Sequence, residues 1–183
     1  IDNSCMFDGT GDYLTLTFGT PTNGIKWTAS FWCKQGNLGI ASKIFTGGDA
    51  NLVRSFIQFN SANDFTYGSN GTPSQSVTSD ALFRDPTAWS HFVVVYDSAQ
   101  SVAFNRLIMY HNGIVLAHDS SDMPSASEVS NINKDGEVHH VATKWSADAQ
   151  FYDGYLAEFV FLDGQAAAPS SFGEFNSDGV WIP

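Results

Sequence analysis

Apolar and polar residues alternate one for one over several short stretches of this chain, which is the period of a half-buried β-strand. In Tyr13–Phe18, Leu14, Leu16 and Phe18 fall on one face while Thr15 and Thr17 point away. In Trp27–Lys34, Trp27, Ala29, Phe31 and Cys33 oppose Thr28, Ser30, Trp32 and Lys34. His91–Asp97 is apolar on both faces, which predicts a central strand, and Tyr155–Leu162 is apolar on both faces except at Glu158. Arg106–His111 and Ile114–Leu116 flank Asn112-Gly113 and predict a hairpin with a two-residue turn. Further Asp-Gly or Asn-Gly pairs at 8–9, 23–24, 70–71, 135–136, 153–154, 163–164 and 178–179 mark tight turns, because both residue types tolerate positive φ. No window carries a helical stripe; the one helical fragment expected is a turn near Pro169–Phe172. The chain therefore reads as a single all-β domain over residues 1–183, without repeat or linker.

Composition sharpens this picture. Of 183 residues 43% are hydrophobic and 14% aromatic, with fifteen Phe, which favours sheet packed on sheet and makes an antiparallel β-sandwich the expected architecture. Nineteen acids against eight bases give a net charge of −11, a surface that repels phosphate backbones and anionic membranes. The longest apolar runs, Phe92–Tyr96 and Phe159–Leu162, are far too short for a membrane helix. No signal peptide is visible; the chain opens at Ile1 and stops at Pro183, as expected of a piece excised from a longer chain or assembly. Cys5 and Cys33 each sit at an apolar-face position, as two buried free thiols or as a disulfide. The apolar terminal segments Cys5–Phe7 and Tyr155–Leu162 are expected to pair and so shield sheet edges. The stretch Phe172–Pro183 needs cover, from its own sandwich or from a neighbour.

Catalytic patterns are sparse. A retaining glycosidase needs two carboxylates about 5–5.5 Å apart, whereas Glu128, Glu137, Glu158 and Glu174 are isolated in sequence. Asp119 and Asp122 read as a loop, and His139-His140 with Lys144 as a strand edge, the adjacent histidines facing opposite ways. There is no G-x-S-x-G, H-E-x-x-H or phosphate-binding glycine loop, and no enzyme is expected. Sugar binding calls for aromatic rings beside polar groups, and Trp32, Tyr67, Trp145 and Tyr152 are the candidates; Trp32 is best placed by alternation, and the competing reading is that both faces of these strands are buried. Asp8, Asp12, Asp49, Asp64 and Asp97 sit at turns or strand ends where oxygen ligands for calcium can converge; the competing reading is that each caps its own turn. No cofactor is required by any of these patterns.

Taken in order, the blocks resemble the laminin G-like, concanavalin A-like jelly-roll family along nearly the whole chain. Phe7-Asp8-Gly9 with Asp12-Tyr13-Leu14 looks like its opening, Trp27–Trp32 like its second core strand and Trp89–Asp97 like its central strand. Leu107–Leu116 resembles its hairpin and Gly154–Phe159 its closing strand. A narrower resemblance is to domains of marine bacteriophage structural proteins, carried by Phe83–Trp89, Asp153–Glu158, Phe161–Ala166, Pro169–Phe175 and Gly179–Pro183. That resemblance implies a non-catalytic module on a virion surface, in a tail, fibre or capsid decoration. Its partners would be other virion proteins, copies of itself or a host-surface glycan, and neither nucleic acid nor a membrane interior. The family also implies an alternative, a calcium-assisted carbohydrate-binding module, and as a third reading a polysaccharide-cleaving enzyme.

Overall fold

The computed structural model describes residues 1–48, 54–71, 74–118, 122–144 and 149–183. Within them the strands are, in chain order, β1 (Cys5–Asp8), β2 (Leu14–Thr17), β3 (Lys26–Gln35), β4 (Ser42–Gly48), β5 (Arg54–Phe59), β6 (Asp64–Ser69) and β7 (Gln75–Leu82). They continue with β8 (Ser90–Asp97), β9 (Leu107–His111), β10 (Ile114–Val115), β11 (Val138–Val141), β12 (Asp153–Asp163), β13 (Glu174–Phe175) and β14 (Trp181–Ile182). Only two short 3-10 turns interrupt them, Ala103–Asn105 and Pro169–Ser171, the second where the sequence placed it.

Two six-stranded antiparallel sheets form the sandwich. The back sheet runs β1-β12-β3-β8-β9-β10 and the front sheet β2-β11-β4-β5-β6-β7, with β13 and β14 as a separate pair. The predicted terminal pairing is present, with Cys5 opposite Leu156 and Phe7 opposite Gly154. So is the hairpin: Ile114 faces His111, and Asn112 (φ 46°) and Gly113 (φ 79°) supply the positive angles of its turn.

Alternation placed the inward residues of β3 correctly. Trp27, Ala29, Phe31 and Cys33 enter the core beside Phe92, Val94 and Tyr96 of β8. From the front sheet, Phe45, Ile57, Phe59, Phe65, Tyr67 and Val77 meet them. The core is largely aromatic. Phe65 and Phe92 stack with centroids 4.4 Å apart, and Trp27 lies parallel to Tyr96 at 5.3 Å. Each such ring contributes about 1.5–3 kcal/mol by burial and up to about 1 kcal/mol more by geometry.

Three expectations need correction. Asp153-Gly154 is no turn but the start of β12, where Gly154 lies between Phe7 and Gln35 of the neighbouring strands. Leu14 and Leu16 share a face as expected, yet remain 57% and 63% exposed because β2 is an edge strand whose flank is left open. Cys33 is buried, but Cys5 is exposed on the edge strand β1. Both thiols are free, and Leu156 stands in line between them. Two strand spacings amount to about 9.5 Å, beyond the roughly 7 Å that a disulfide spans between Cα atoms. Burial also holds the Cys33 thiol protonated, well above its ordinary range. Titration of the folded protein with a thiol reagent is expected to modify one cysteine, and two after unfolding in urea. Two rapid modifications in the native state contradict this arrangement.

On the outer face of the back sheet the competing reading, burial of both faces, holds. Thr28, Ser30 and Trp32 point away from the core, yet all three are buried. Residues 164–183 return across this face. Thr28 donates through Oγ1 to the Gln165 carbonyl and accepts from the Ala167 N–H, at 2.8 and 2.9 Å. Trp181 then stacks on His91, with centroids 5.9 Å apart. The stretch that needed cover is thus itself a cover, and β3 is apolar on one face and buried on both.

Candidate functional site

Among the described residues, side chains of the right chemistry gather in several places. The first is the outer face of the front sheet. Directly paired residues share a face, so the registers place Lys43, Gln58, Thr66 and Thr78 in one outward row. Thr46, Phe56, Gly68 and Ser76 form the next row, which His140 extends across β11. Phe56, Gln58 and Thr78 are half-buried and Ser76 is exposed, whereas Lys43, Thr46, Thr66 and His140 are buried, so the face offers solvent one aromatic ring beside an amide and two hydroxyls.

The ring is held in place. A Cβ at Gly68 would lie 2.3 Å from it, so only glycine lets Phe56 settle onto the sheet. The Lys43 ammonium sits 3.5 Å from the ring centroid and also donates to the Gln58 side-chain carbonyl. Burial, helped by the nearby Lys144 charge, lowers the Lys43 pKa to about 8. Lys43 therefore orients both an aromatic face and an amide. The signal was in the sequence: in Arg54–Phe59 the alternation sends Ser55, Ile57 and Phe59 inward, which leaves Phe56 as an aromatic residue on the polar face. The sequence reading passed over it.

The second place is a cleft of about 460 Å³ on the back sheet, lined by Ser30, Trp32, His91, Glu158, Phe172 and Glu174. A β-bulge in β12 holds Glu158 at a φ of 48° and re-aims it there, which explains the one charged residue between the two terminal aspartates of that strand. Ser30 Oγ lies 2.8 Å from His91 Nε2, the contact of a nucleophile and its base. The far nitrogen reverses that reading. Trp181 Nε1–H donates to His91 Nδ1 at 2.9 Å, and an indole can only donate, so Nδ1 carries no proton and Nε2 does. His91 thus donates to Ser30 and cannot take its proton. Burial, with the nearby His111 adding to it, lowers the His91 pKa to about 4 and keeps the ring neutral.

The sugar-binding candidates fare differently from one another. Trp32 does lie on the outward face, but it is 4% exposed and stacked on His91 at 4.9 Å. Tyr67 is a core residue, 1% exposed, whose hydroxyl meets Ser130 Oγ at 3.2 Å; burial raises its pKa to about 12. Tyr152 is fully buried. None of the three offers a ring to a sugar. Polar-looking neighbours in the sequence misled here, because remote segments cover these rings. Trp145 lies outside the described residues, as does Asp49.

Nor do the remaining aspartates converge; among the described residues no three His, Cys, Asp or Glu side chains are grouped to hold a metal ion. Asp8 accepts from the Thr10 N–H and hydroxyl and the Gly11 N–H, bonds that lower its pKa, led by the Thr10 hydroxyl. Asp64 accepts from Asn60 Nδ2 at 3.1 Å, and Asp12 is exposed in a loop. For Asp97, burial alone would raise the pKa, but Gln100 at 2.8 Å and Lys26 at 3.1 Å outweigh it and lower it. Asp8, Asp64 and Asp97 serve the turns and strand ends where they stand.

Comparison with known proteins identifies the fold. The profile of the concanavalin A-like lectin/glucanases superfamily matches residues 8–168. No curated protein matches the chain in sequence. The carbohydrate-binding module CBM40 of the Ruminococcus gnavus IT-sialidase, solved with α2,3-sialyllactose, superposes with a TM-score of 0.62 at 10% identity, covering 93% of this chain and 94% of that one. Domain 4 of AbnA, an extracellular GH43 arabinanase from Geobacillus stearothermophilus solved with arabinotriose, gives 0.65 at 15% identity, covering 91% and 73%. A heptameric SAP-like pentraxin from Limulus polyphemus gives 0.59 at 15% identity, covering 85% and 73%. At these identities the likeness is one of fold. No helix among the described residues is long and apolar enough to cross a membrane.

Proposed function

Since the chain belongs to the concanavalin A-like lectin/glucanases superfamily, we propose that it is a non-catalytic, extracellular carbohydrate-binding module that takes its ligand on the outer face of the front sheet. The observation that carries this reading is the Phe56 ring, positioned by Gly68 and Lys43 beside Gln58, Thr78 and Ser76. The half-exposed part of the ring that Gly68 and Lys43 leave uncovered gives apolar sugar C–H groups a contact surface, and the amide and hydroxyls beside it match sugar hydroxyls. Two relatives of the same fold were solved with oligosaccharides, which supports the class of ligand without naming it. The non-catalytic reading rests on the tautomer of His91, which denies Ser30 a base.

A glycan array that includes α2,3-sialyllactose and arabinotriose tests the proposal. Phe56→Ala and Gln58→Ala are each expected to weaken binding about tenfold, or about 1.4 kcal/mol, with the unfolding midpoint little changed. Gly68→Ala is expected to do the same indirectly, by displacing the ring. Unchanged affinity in all three variants would sink the assignment of this face. Incubation with the bound glycans is expected to release no reducing ends. Binding is expected to survive EDTA, because Asp8, Asp64 and Asp97 are engaged by their own neighbours; its loss would restore calcium to the reading.

Display on a phage particle is a narrower version of this function. It is favoured by the blocks Phe83–Trp89, Pro169–Phe175 and Gly179–Pro183, and many copies on one particle would raise the avidity of a weak site. Antibody labelling of native particles decides it: labelled tails, fibres or capsids support it, and bare particles exclude it.

A further inference from the structure

Another concave place lies where the end of β3 meets the connection from β7 to β8 and the β9–β10 turn, and it shares no residue with the Phe56 face. It is a cleft of about 410 Å³, within the range that holds small ligands, and all its lining residues fall between Cys33 and Asn112. Buried Cys33 and Phe92 belong to its lining, and the block Phe83–Trp89 supplies one wall. That wall is anchored. Phe83 donates its N–H to the Asn63 carbonyl at 2.8 Å and packs edge-on against Phe92, with centroids 4.9 Å apart. Two residues on, Asp85 accepts the Thr87 N–H and hydroxyl at 2.8 and 2.6 Å. Arg84 stands between them, exposed, with no hydrogen bond or ion pair to any described residue.

Backbone partners fix the orientation of two amides in the remaining lining. Gln35 donates from Nε2 to the Phe83 carbonyl at 3.4 Å, which turns its Oε1 away from that carbonyl. Asn112 Oδ1 accepts the His91 N–H at 2.8 Å, which leaves Nδ2 as a spare donor. Gln35 Oε1, Asn112 Nδ2 and the Ser90 hydroxyl have no partner among the described residues, and none of the three is sealed from solvent. Trp89, half-buried, adds an aromatic surface beside them. An acceptor, an amide donor and a hydroxyl next to such a surface suit a ring that carries several hydroxyls on an apolar frame. A guanidinium without a partner adds a demand for an anion, and its planar fork matches carboxylate or phosphate. Charge selects between these two. The net charge of −11 and the Asp85 carboxylate disfavour a doubly charged phosphate more than a singly charged carboxylate.

We propose that this cleft is a further binding site, for a sugar ring that bears a carboxylate. Arg84 takes the carboxylate, Gln35, Ser90 and Asn112 take ring hydroxyls, and the apolar side of the ring rests on Trp89. The site goes beyond the front-sheet reading and does not depend on it.

The test is an amide NMR titration of the whole chain with methyl β-D-glucuronide, methyl β-D-glucoside and acetate in turn. The glucuronide is expected to give saturable shifts at the amides of Gln35, Arg84, Trp89 and Asn112, with a Kd on the order of 1 mM. The glucoside, which lacks the carboxylate, and acetate, which lacks the ring, should each bind about tenfold more weakly. Arg84→Gln is expected to weaken the glucuronide about tenfold and to leave the glucoside as it was. Arg84 is exposed and engages no described residue, so the urea midpoint of this variant should not move. No saturation up to about 30 mM glucuronide overturns the proposal. So does equal affinity for the glucoside or for acetate, and so does an Arg84→Gln variant that binds the glucuronide unchanged. Shifts confined to Phe56, Gln58 and Gly68 overturn it too, while leaving the front-sheet site in place.

Discussion

Acidification from pH 7 toward pH 4 is expected to remove several kcal/mol of the stability of this domain, most of it above the pH at which ordinary carboxylates are half protonated. His91 and His139 are 1% and 2% exposed, and the pKa of each is lowered from 6.5 to about 4. Burial is the main cause in both; the nearby His111 adds to it at His91, and the Glu137 carbonyl partly offsets it at His139. Burial lowers His111 and His140 as well. Between the folded and unfolded values the unfolded chain binds more protons, so stability rises with pH in that window. The contribution is complete above about pH 6.5 and declines as pH falls toward 4. At about 1.4 kcal/mol per pKa unit, each of the two residues is worth about 3 kcal/mol. Their sum of about 6 kcal/mol compares with a typical domain stability of 5–15 kcal/mol. Asp97 and Asp163, whose pKa values are lowered from 3.8, keep their contribution through most of this window and lose it as pH falls below about that value. Urea unfolding at pH 7.5, 6, 5 and 4.5 should show a steady fall in midpoint. A flat profile from 7.5 to 5 contradicts the neutral, buried state of these rings.

Gly154→Ala is expected to cost at least about 3 kcal/mol. Gly154 has a φ of 137°, which L side chains rarely adopt, and a Cβ there would stand 2.1 Å from the Lys34 carbonyl oxygen. That oxygen belongs to β3, and Phe7 of β1 pairs with Gly154 on its other side, so neither neighbour can retreat without opening a ladder. Gly136→Ala separates the two causes. Its φ is 73°, but nothing lies within 4 Å of the new Cβ, and a loss of about 1 kcal/mol is expected from conformation alone. Comparable losses for the two variants in urea titrations mean that the contact with Lys34 is not decisive.

The strand pattern was legible because it depends on neighbours in sequence. Alternation in Trp27–Lys34 identified the inward residues of β3, the two-sided apolar run His91–Asp97 placed β8 in the interior of its sheet, and Asn112-Gly113 located the tightest hairpin. Each follows from a local property, side-chain period or the tolerance of positive φ, that the order of residues states directly. Even the pairing of β1 with β12 could be read, since both are apolar and terminal.

What covers a face is decided elsewhere in the chain. Nothing near Trp32 in sequence says that residues 164–183 will cross it, or that Trp181 will fix the tautomer of His91 ninety residues away. Tyr67 and Tyr152 have the polar neighbours of a binding loop and the burial of a core. Asp153-Gly154 has the composition of a turn, but the approach of the Lys34 carbonyl is what requires its glycine. The alternation in Arg54–Phe59 did put Phe56 on the outward side, yet Gly68 and Lys43, which make it a surface for a ligand, arrive from other strands. The sequence by itself determined the strands, their inward faces and the sandwich. Only the tertiary structure decided which outward residues are covered and which stay exposed, because that depends on long-range packing that local periodicity does not record.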